Sequence, residues 1–293
     1  MELFPFRGQP LNRASPRQWR EELNGMRRAL ERFSFVDQKH IVGVRAPRFA
    51  PAGDVQFREL QVLNFGYDAS AQVSGDEGPF WPQTLDFRPP WRCVRGQCPV
   101  ERFPSIWQFP VSRFQREGQT VNDTYNLNEA LKPGDTSSDV LALLKDNFHH
   151  SVNSKKAPFV ISLDANTLRV IPDLGVVTAL ESFLEYVLDR EDVYVVTMSQ
   201  ALKWLRRPTK LAKVANFASW ECKIKNRQGV LPCENPSTCT FSALGEDTSP
   251  YQESGNTPRM ASEAYSFRVC GSCPLVYPTL QDPTGNGNQR RRP

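Results

Sequence analysis

The chain has 293 residues, with 36 Lys+Arg against 32 Asp+Glu, so its formal net charge is only +4. Basic and acidic residues interleave except in the terminal Arg290-Arg291-Arg292, so the sequence carries no nucleic-acid footprint. No apolar run approaches the roughly 20 residues of a membrane-spanning helix, and residues 1–7 have neither the basic start nor the apolar stretch of a secretory signal.

In chain order, the first clear element is a helix. Ser15 is a good N-cap, Pro16 suits the first helical position, and Gln18 completes a capping box with Ser15. Trp19, Leu23, Met26, Leu30 and Phe33 then recur at helical spacing and form one apolar stripe. The run Ile41-Val42-Gly43-Val44, closed by Pro47, predicts a strand. A helix over 55–63 and a short strand at Phe65-Gly66-Tyr67 follow.

Residues 74–105 are rich in Pro, Gly and Trp, an irregular stretch of the kind that is either functional or held by a disulfide. Next come a strand over 107–111 and a helix over 139–149. A buried strand over 159–163 and a helix over 174–188 follow. The last strong strand spans 193–197 and leads into a short helix through Trp204. Strands alternating with helices in short units predict a parallel sheet with crossover helices, hence an α/β fold. The periodicity stops after Trp220. The chain thus divides into an α/β domain over 1–221, a cysteine-rich extension over 222–280 and a disordered tail over 281–293.

The seven cysteines are Cys93, Cys98, Cys222, Cys233, Cys239, Cys270 and Cys273. Five of them crowd one loop-rich stretch, the pattern of a disulfide-stapled module from an oxidising compartment. Cys270-Gly-Ser-Cys273 also reads as a redox or zinc pair. A zinc knuckle needs a second close pair, however, and Cys233 and Cys239 are six apart. An odd count leaves one thiol free, bridged to another molecule, or paired with a cysteine outside this chain. Asn122-Asp-Thr124 is a glycosylation sequon.

Other residues carry a chemical and a structural reading. His149-His150 reads as metal ligands or as a cation pair favoured by a helix C-terminus, and the second reading weighs more. His40 reads as a loop residue. Asp68, Asp86 and Asp164 fall near strand ends or in the irregular loop, where a carboxylate site is conceivable but no spacing argues for it. Trp81, Trp91 and Trp107 read equally as core aromatics or as a sugar-stacking surface.

Five segments together resemble the catalytic domain of secreted chitin deacetylases of the polysaccharide deacetylase family. They are Gly43-Val44-Arg45-Ala46-Pro47; Phe80-Trp81-Pro82-Gln83-Thr84-Leu85-Asp86-Phe87; Cys93 to Cys98-Pro99; Ala157-Pro158-Phe159; and Asp192-Val193-Tyr194-Val195-Val196-Thr197 running on to Trp204. The stretch from Cys270 to Pro278 is similar to the cysteine-rich extension of the animal members. The resemblance covers about residues 14–280. It implies a distorted (β/α) barrel, here partial, and a β-1,4-linked N-acetylglucosamine polymer as substrate. It also implies metal-assisted amide hydrolysis with zinc or another divalent ion.

In that family the metal ligands are an Asp of a Thr-Phe-Asp-Asp strand and two His of a His-x-x-x-His segment, both before the Arg-x-Pro strand. Nothing before Arg45 contains Thr-Phe-Asp-Asp, and no His precedes His40. No metal ligand is therefore assigned, and no cofactor is expected on this chain. By resemblance Arg45 takes the position of the arginine that orients the catalytic base. Trp81, Pro82, Asp86 and Leu163 line the substrate groove, and Asp164 stands where the family has its acid histidine. Asp titrates ordinarily near 3.9, so Asp164 would donate a proton only with its pKa raised.

The resemblance implies an extracellular, catalytically deficient protein that binds or organises chitin-type polymer in a matrix, with matrix proteins or another chain completing the barrel as further partners. The alternatives are a metal-dependent N-deacetylase represented by an incomplete chain, and a disulfide-stapled protein-interaction scaffold. Neither nucleic acid nor membrane is an expected partner.

Overall fold

In the computed structural model, residues 2–3, 5–6, 8–74, 78–116, 124–163, 175–221, 233, 235–241 and 265–287 are described. Cys222, Asn122 and Asp164 lie outside them.

Helix α1 (Pro16–Ser34) begins as its sequence dictates. The Gln18 N–H donates to Ser15 Oγ (3.3 Å) and the Ser15 N–H to Gln18 Oε1 (2.8 Å), so two otherwise orphaned donors are satisfied. Phe35, in the left-handed region at φ 52°, ends it. Trp19 and Leu23 are fully buried against α2 (Asp54–Val62), and Arg20 makes a two-pronged bond to the buried Glu59 of α2 (2.8 and 3.0 Å).

A short-stranded sheet lies beside these helices. Strands β1 (Glu2–Leu3), β2 (Gly43–Val44), β3 (Tyr67–Asp68) and β5 (Trp107–Gln108) pair in parallel, and β4 (Gln83–Thr84) adds antiparallel to β5, giving the order β1-β2-β3-β5-β4. The helices α1 and α2 connect successive parallel strands, as the alternation predicts. Gly43 pairs with Tyr67, whose ring lies across it; a Cβ at Gly43 would fall 2.1 Å from that ring.

A second core forms among α3 (Leu127–Ala130), α4 (Ser137–Ser154) and α5 (Gly175–Leu188), built from Val140, Leu144, Phe148, Val176, Phe183 and Val187. Thr136 and Asp139 cap α4 reciprocally. Ahead of α4, Arg116 grips Asp135 with two bonds (2.9 and 2.7 Å), and the Lys132 N–H adds a third (2.7 Å). The guanidinium holds the Asp135 carboxyl below the usual carboxylate range. A depressed folded-state pKa contributes stability above the unfolded value, and that stability is lost as pH falls through the folded value. Asp135→Asn is therefore expected to cost about 2 kcal/mol at neutral pH. In urea titrations the gap to the parent chain should close on acidification.

Helix α6 (Met198–Arg206) sets Leu202 against Tyr67, Ala69 and Phe109 of the sheet, and the short α7 (Leu211–Val214) follows. Two predicted strands are corrected: 159–163 and 193–197 join no ladder. The Val160 N–H goes to Ser112 Oγ (2.8 Å) and the Ser162 carbonyl accepts from the Leu127 N–H (2.8 Å), so side chain and loop take the place of a neighbouring strand. Phe159 and Ile161 pack on the second core, while Tyr194 lies 5.1 Å from Trp220 and Val195 is exposed. Their apolar character serves ring packing, not a sheet interior.

The C-terminal module is a hairpin of β6 (Ser237–Phe241) and β7 (Tyr265–Val269), stapled by Cys233–Cys270 and Cys239–Cys273. The two cysteines of Cys270-Gly-Ser-Cys273 thus serve different bridges, and neither bonds the other. The module docks on the end of α1. The Cys270 N–H donates to Phe33 O (3.2 Å), Arg32 reaches Ser272, and Phe267 meets Phe33 edge-on at 5.9 Å. Residues 281–287, which composition assigns to the disordered tail, form a turn around Asp282, whose Oδ2 accepts from the Gly287 N–H (2.8 Å) and whose Oδ1 accepts from Thr284 Oγ1 (3.1 Å).

Candidate functional site: an aromatic-edged groove

Beyond the C-terminal ends of β3 and β5 a groove opens between the sheet and α4. It is shallow and open to solvent, and its enclosed space of about 40 Å³ has room for a few waters. Val73 and Ser74 continue from β3, Ser112 and Arg113 from β5, and Phe80 comes from the irregular stretch. His150 and Ser151 project from α4. The wall is fastened on several sides. Tyr125 donates its hydroxyl to Val73 O (2.6 Å), and Cys93, bonded to Cys98, bridges Val73. Phe80 is backed by Trp91 (5.4 Å), and the Lys155 ammonium lies 4.4 Å from its ring centre. An aromatic face beside hydroxyl, guanidinium and imidazole groups is chemistry that suits a polar ring with an apolar face.

The residues expected from sequence fall around this groove in different ways. Trp81 is half-buried next to Phe80. Its indole N–H donates to Lys155 O (3.0 Å), and its ring lies 6.3 Å from Trp204 in a cluster that continues to Trp220. Pro82 is buried, and Asp86 is engaged by Thr84 within its own turn. Leu163 is 39% exposed. Arg45 is buried, with Nη1 donating to Ser162 Oγ (2.7 Å) and its guanidinium 5.0 Å from the Phe49 ring centre. It thus ties the first resemblance segment to the stretch that follows Ala157-Pro158-Phe159. Phe80 and Arg113 were not singled out in the sequence. Only Phe80 left a signal there, as the aromatic neighbour of Trp81.

Asp68 lies under α2 at the end of β3, with no exposed surface. Four donors converge on it: the Ser70 N–H (3.1 Å) and hydroxyl (2.6 Å), Gln56 Nε2 (2.8 Å) and Gln108 Nε2 (3.3 Å). The three side chains are each oriented by a further bond. The Ala52 N–H donates to Gln56 Oε1, the Trp91 N–H to Gln108 Oε1, and the Ala46 N–H to Ser70 Oγ. Burial pushes the Asp68 carboxyl up, and these donors offset part of that rise. The network joins β2, α2, β3, β5 and the irregular stretch, so it supports the groove and does not line it.

A divalent metal does not fit the side chains described. His40 is exposed on a 3-10 turn, His149 shares a hydrogen bond with the Tyr186 hydroxyl (2.8 Å), and His150 stands on the groove. Six cysteines are paired. Among the described residues no three His, Cys, Asp or Glu side chains are grouped to hold an ion.

No protein-family model matches the chain. Along nearly its whole length the chain is nevertheless similar to curated chitin deacetylases. Chitin deacetylase 1 of Bombyx mori is 28% identical over 284 residues, 92% of this chain and 48% of the relative. Chitin deacetylase 8 of the same organism is 20% identical over 273 residues, 90% of this chain and 64% of the relative. The chain therefore spans about half to two-thirds of the length of these relatives.

Proposed function

We propose that the chain binds chitin-type N-acetylglucosamine polymer in the groove beside Phe80, outside the cell, and does not hydrolyse it. The observation that carries this reading is the position of Phe80. It opens the Phe80-to-Phe87 segment of the resemblance and also walls the groove, beside Ser112, Arg113 and His150. The parallel order β1-β2-β3-β5 supports a partial barrel of the polysaccharide deacetylase type, and the disulfides support an oxidising, extracellular setting. The chain as given holds neither Thr-Phe-Asp-Asp nor a His-x-x-x-His segment, and binding without hydrolysis is proposed of this chain alone.

Retention on chitin beads in the presence of EDTA tests the reading. The parent chain should be retained, and Phe80→Ala should weaken retention about tenfold, the effect of removing one well-packed aromatic contact. Equal retention of the variant would move the binding surface elsewhere. A second reading, metal-dependent N-deacetylation, is favoured by the names of the two relatives. Acetate release from chitin oligomers that stops on chelation would select it.

A further inference from the structure

The bridge Cys93–Cys98 closes a loop that is fixed to the body on two sides. The Gln97 N–H donates to Pro51 O (2.7 Å), the Gly53 N–H to Gln97 O (2.9 Å) and the Val94 N–H to Gln72 O (2.9 Å). Gly96, at φ +69°, approaches so closely that a Cβ would sit 2.2 Å from Pro51 O. Just beyond the loop, Asp54 Oδ1 accepts from the Val100 and Glu101 N–H groups (2.8 and 3.0 Å).

On this frame Arg88, Arg92, Arg95 and Arg102 are exposed, as is Arg48 from the turn preceding Pro51. Among the described residues, none of these five arginines has a side-chain hydrogen bond, ion pair or ring contact. The nearby carboxylates are already engaged: Glu101 by Arg58, Asp54 by two backbone N–H groups and Asp86 by Thr84. Exposed like charges in and around one fastened loop stabilise nothing within the chain, but they draw an anionic partner. Exposed apolar side chains interleave with them: Phe87 is 68% exposed, Val100 62% and Val94 39%. A sulfated or carboxylated glycan offers no apolar side chains for these to meet, whereas a polypeptide does. The loop also borders the groove, since Cys93 bridges Val73 and Trp91 backs Phe80.

We propose that the arginine-rich loop around Cys93–Cys98 is a docking surface for an acidic polypeptide segment bearing apolar side chains. A protein held there would sit at the edge of the groove.

The test is fluorescence anisotropy of the full chain with a labelled synthetic peptide that alternates Glu with Phe and Leu. Unlabelled poly-glutamate and heparin serve as competitors. The peptide should bind, and its affinity should fall severalfold when ionic strength rises from about 50 to about 300 mM. Arg92→Ser combined with Arg95→Ser should weaken it about fivefold, and Phe87→Ala about threefold or more. All three positions are exposed, so unchanged melting temperatures should accompany these losses. Absence of peptide binding would overturn the proposal. So would heparin competing better than the peptide while Phe87→Ala has no effect, because the loop would then be a general polyanion site.

Discussion

Asp68→Ala should destabilise the chain by about 3–5 kcal/mol, although the residue touches neither solvent nor the groove. The substitution strips the acceptor from two glutamine amides, a hydroxyl and a backbone N–H, all buried. None can turn to another partner without breaking a second bond, because Gln56 and Gln108 are held by Ala52 and Trp91. Asp68→Asn keeps the shape and one oxygen, so it should cost less, about 2 kcal/mol. The pH dependence separates this from simple packing. A carboxyl raised in the folded state contributes stability below its unfolded pKa that is lost as pH rises through the folded value. Relative to Asp68→Asn, the parent chain should therefore gain stability on acidification. That is the opposite of the trend expected at Asp135, whose carboxyl is depressed. Equilibrium urea unfolding at several pH values reads both signs; a parent chain that loses stability relative to Asp68→Asn in acid would contradict the assignment.

The second large effect is at the C-terminal staples. Cys233–Cys270 and Cys239–Cys273 close separations of 37 and 34 residues, each worth about 4 kcal/mol by loop-closure entropy. Among its described residues the module has little core to fall back on. Phe241, Phe267 and Tyr277 pack together, while Leu275 is 82% exposed. Among the described residues its docking on α1 includes one backbone bond, the Arg32–Ser272 contact, the Phe33–Phe267 edge, and Leu280 beside Gly25. Cys239→Ser combined with Cys233→Ser should therefore free the module while leaving the α1–α2 and α4–α5 cores folded. Limited proteolysis read by mass spectrometry should show cleavage within 233–287 first. Protection equal to that of the parent chain would mean that side-chain packing, not the staples, holds the hairpin.

The sequence made parts of this molecule plain and hid others, for identifiable reasons. The start of helix α1 could be read to the residue because its cap is local: Ser15 and Gln18 are three apart and satisfy each other. The runs at 159–163 and 193–197 look like strands because periodicity reports an apolar run, not what covers it; here aromatic rings and loops do. Asp68 lies at a strand end, where a carboxylate site is conceivable, and Gln56 and Gln108, distant in sequence, join Ser70 in holding it within a buried network. At the groove the motif drew attention to Trp81, yet Phe80 faces the open space and Trp81 turns its N–H to Lys155 O. The arginines of the Cys93–Cys98 loop were hidden in an average, since acidic residues elsewhere bring the whole chain close to neutrality.

The central claim is that the chain holds N-acetylglucosamine polymer without cleaving it. Calorimetric titration of the 293-residue chain with a chitin oligomer in EDTA, followed by mass analysis of the recovered sugar, tests it most directly. The account predicts saturable binding that chelation does not affect and an oligomer that retains every acetyl group. Lack of binding, or an oligomer recovered with acetyl groups missing, would contradict it.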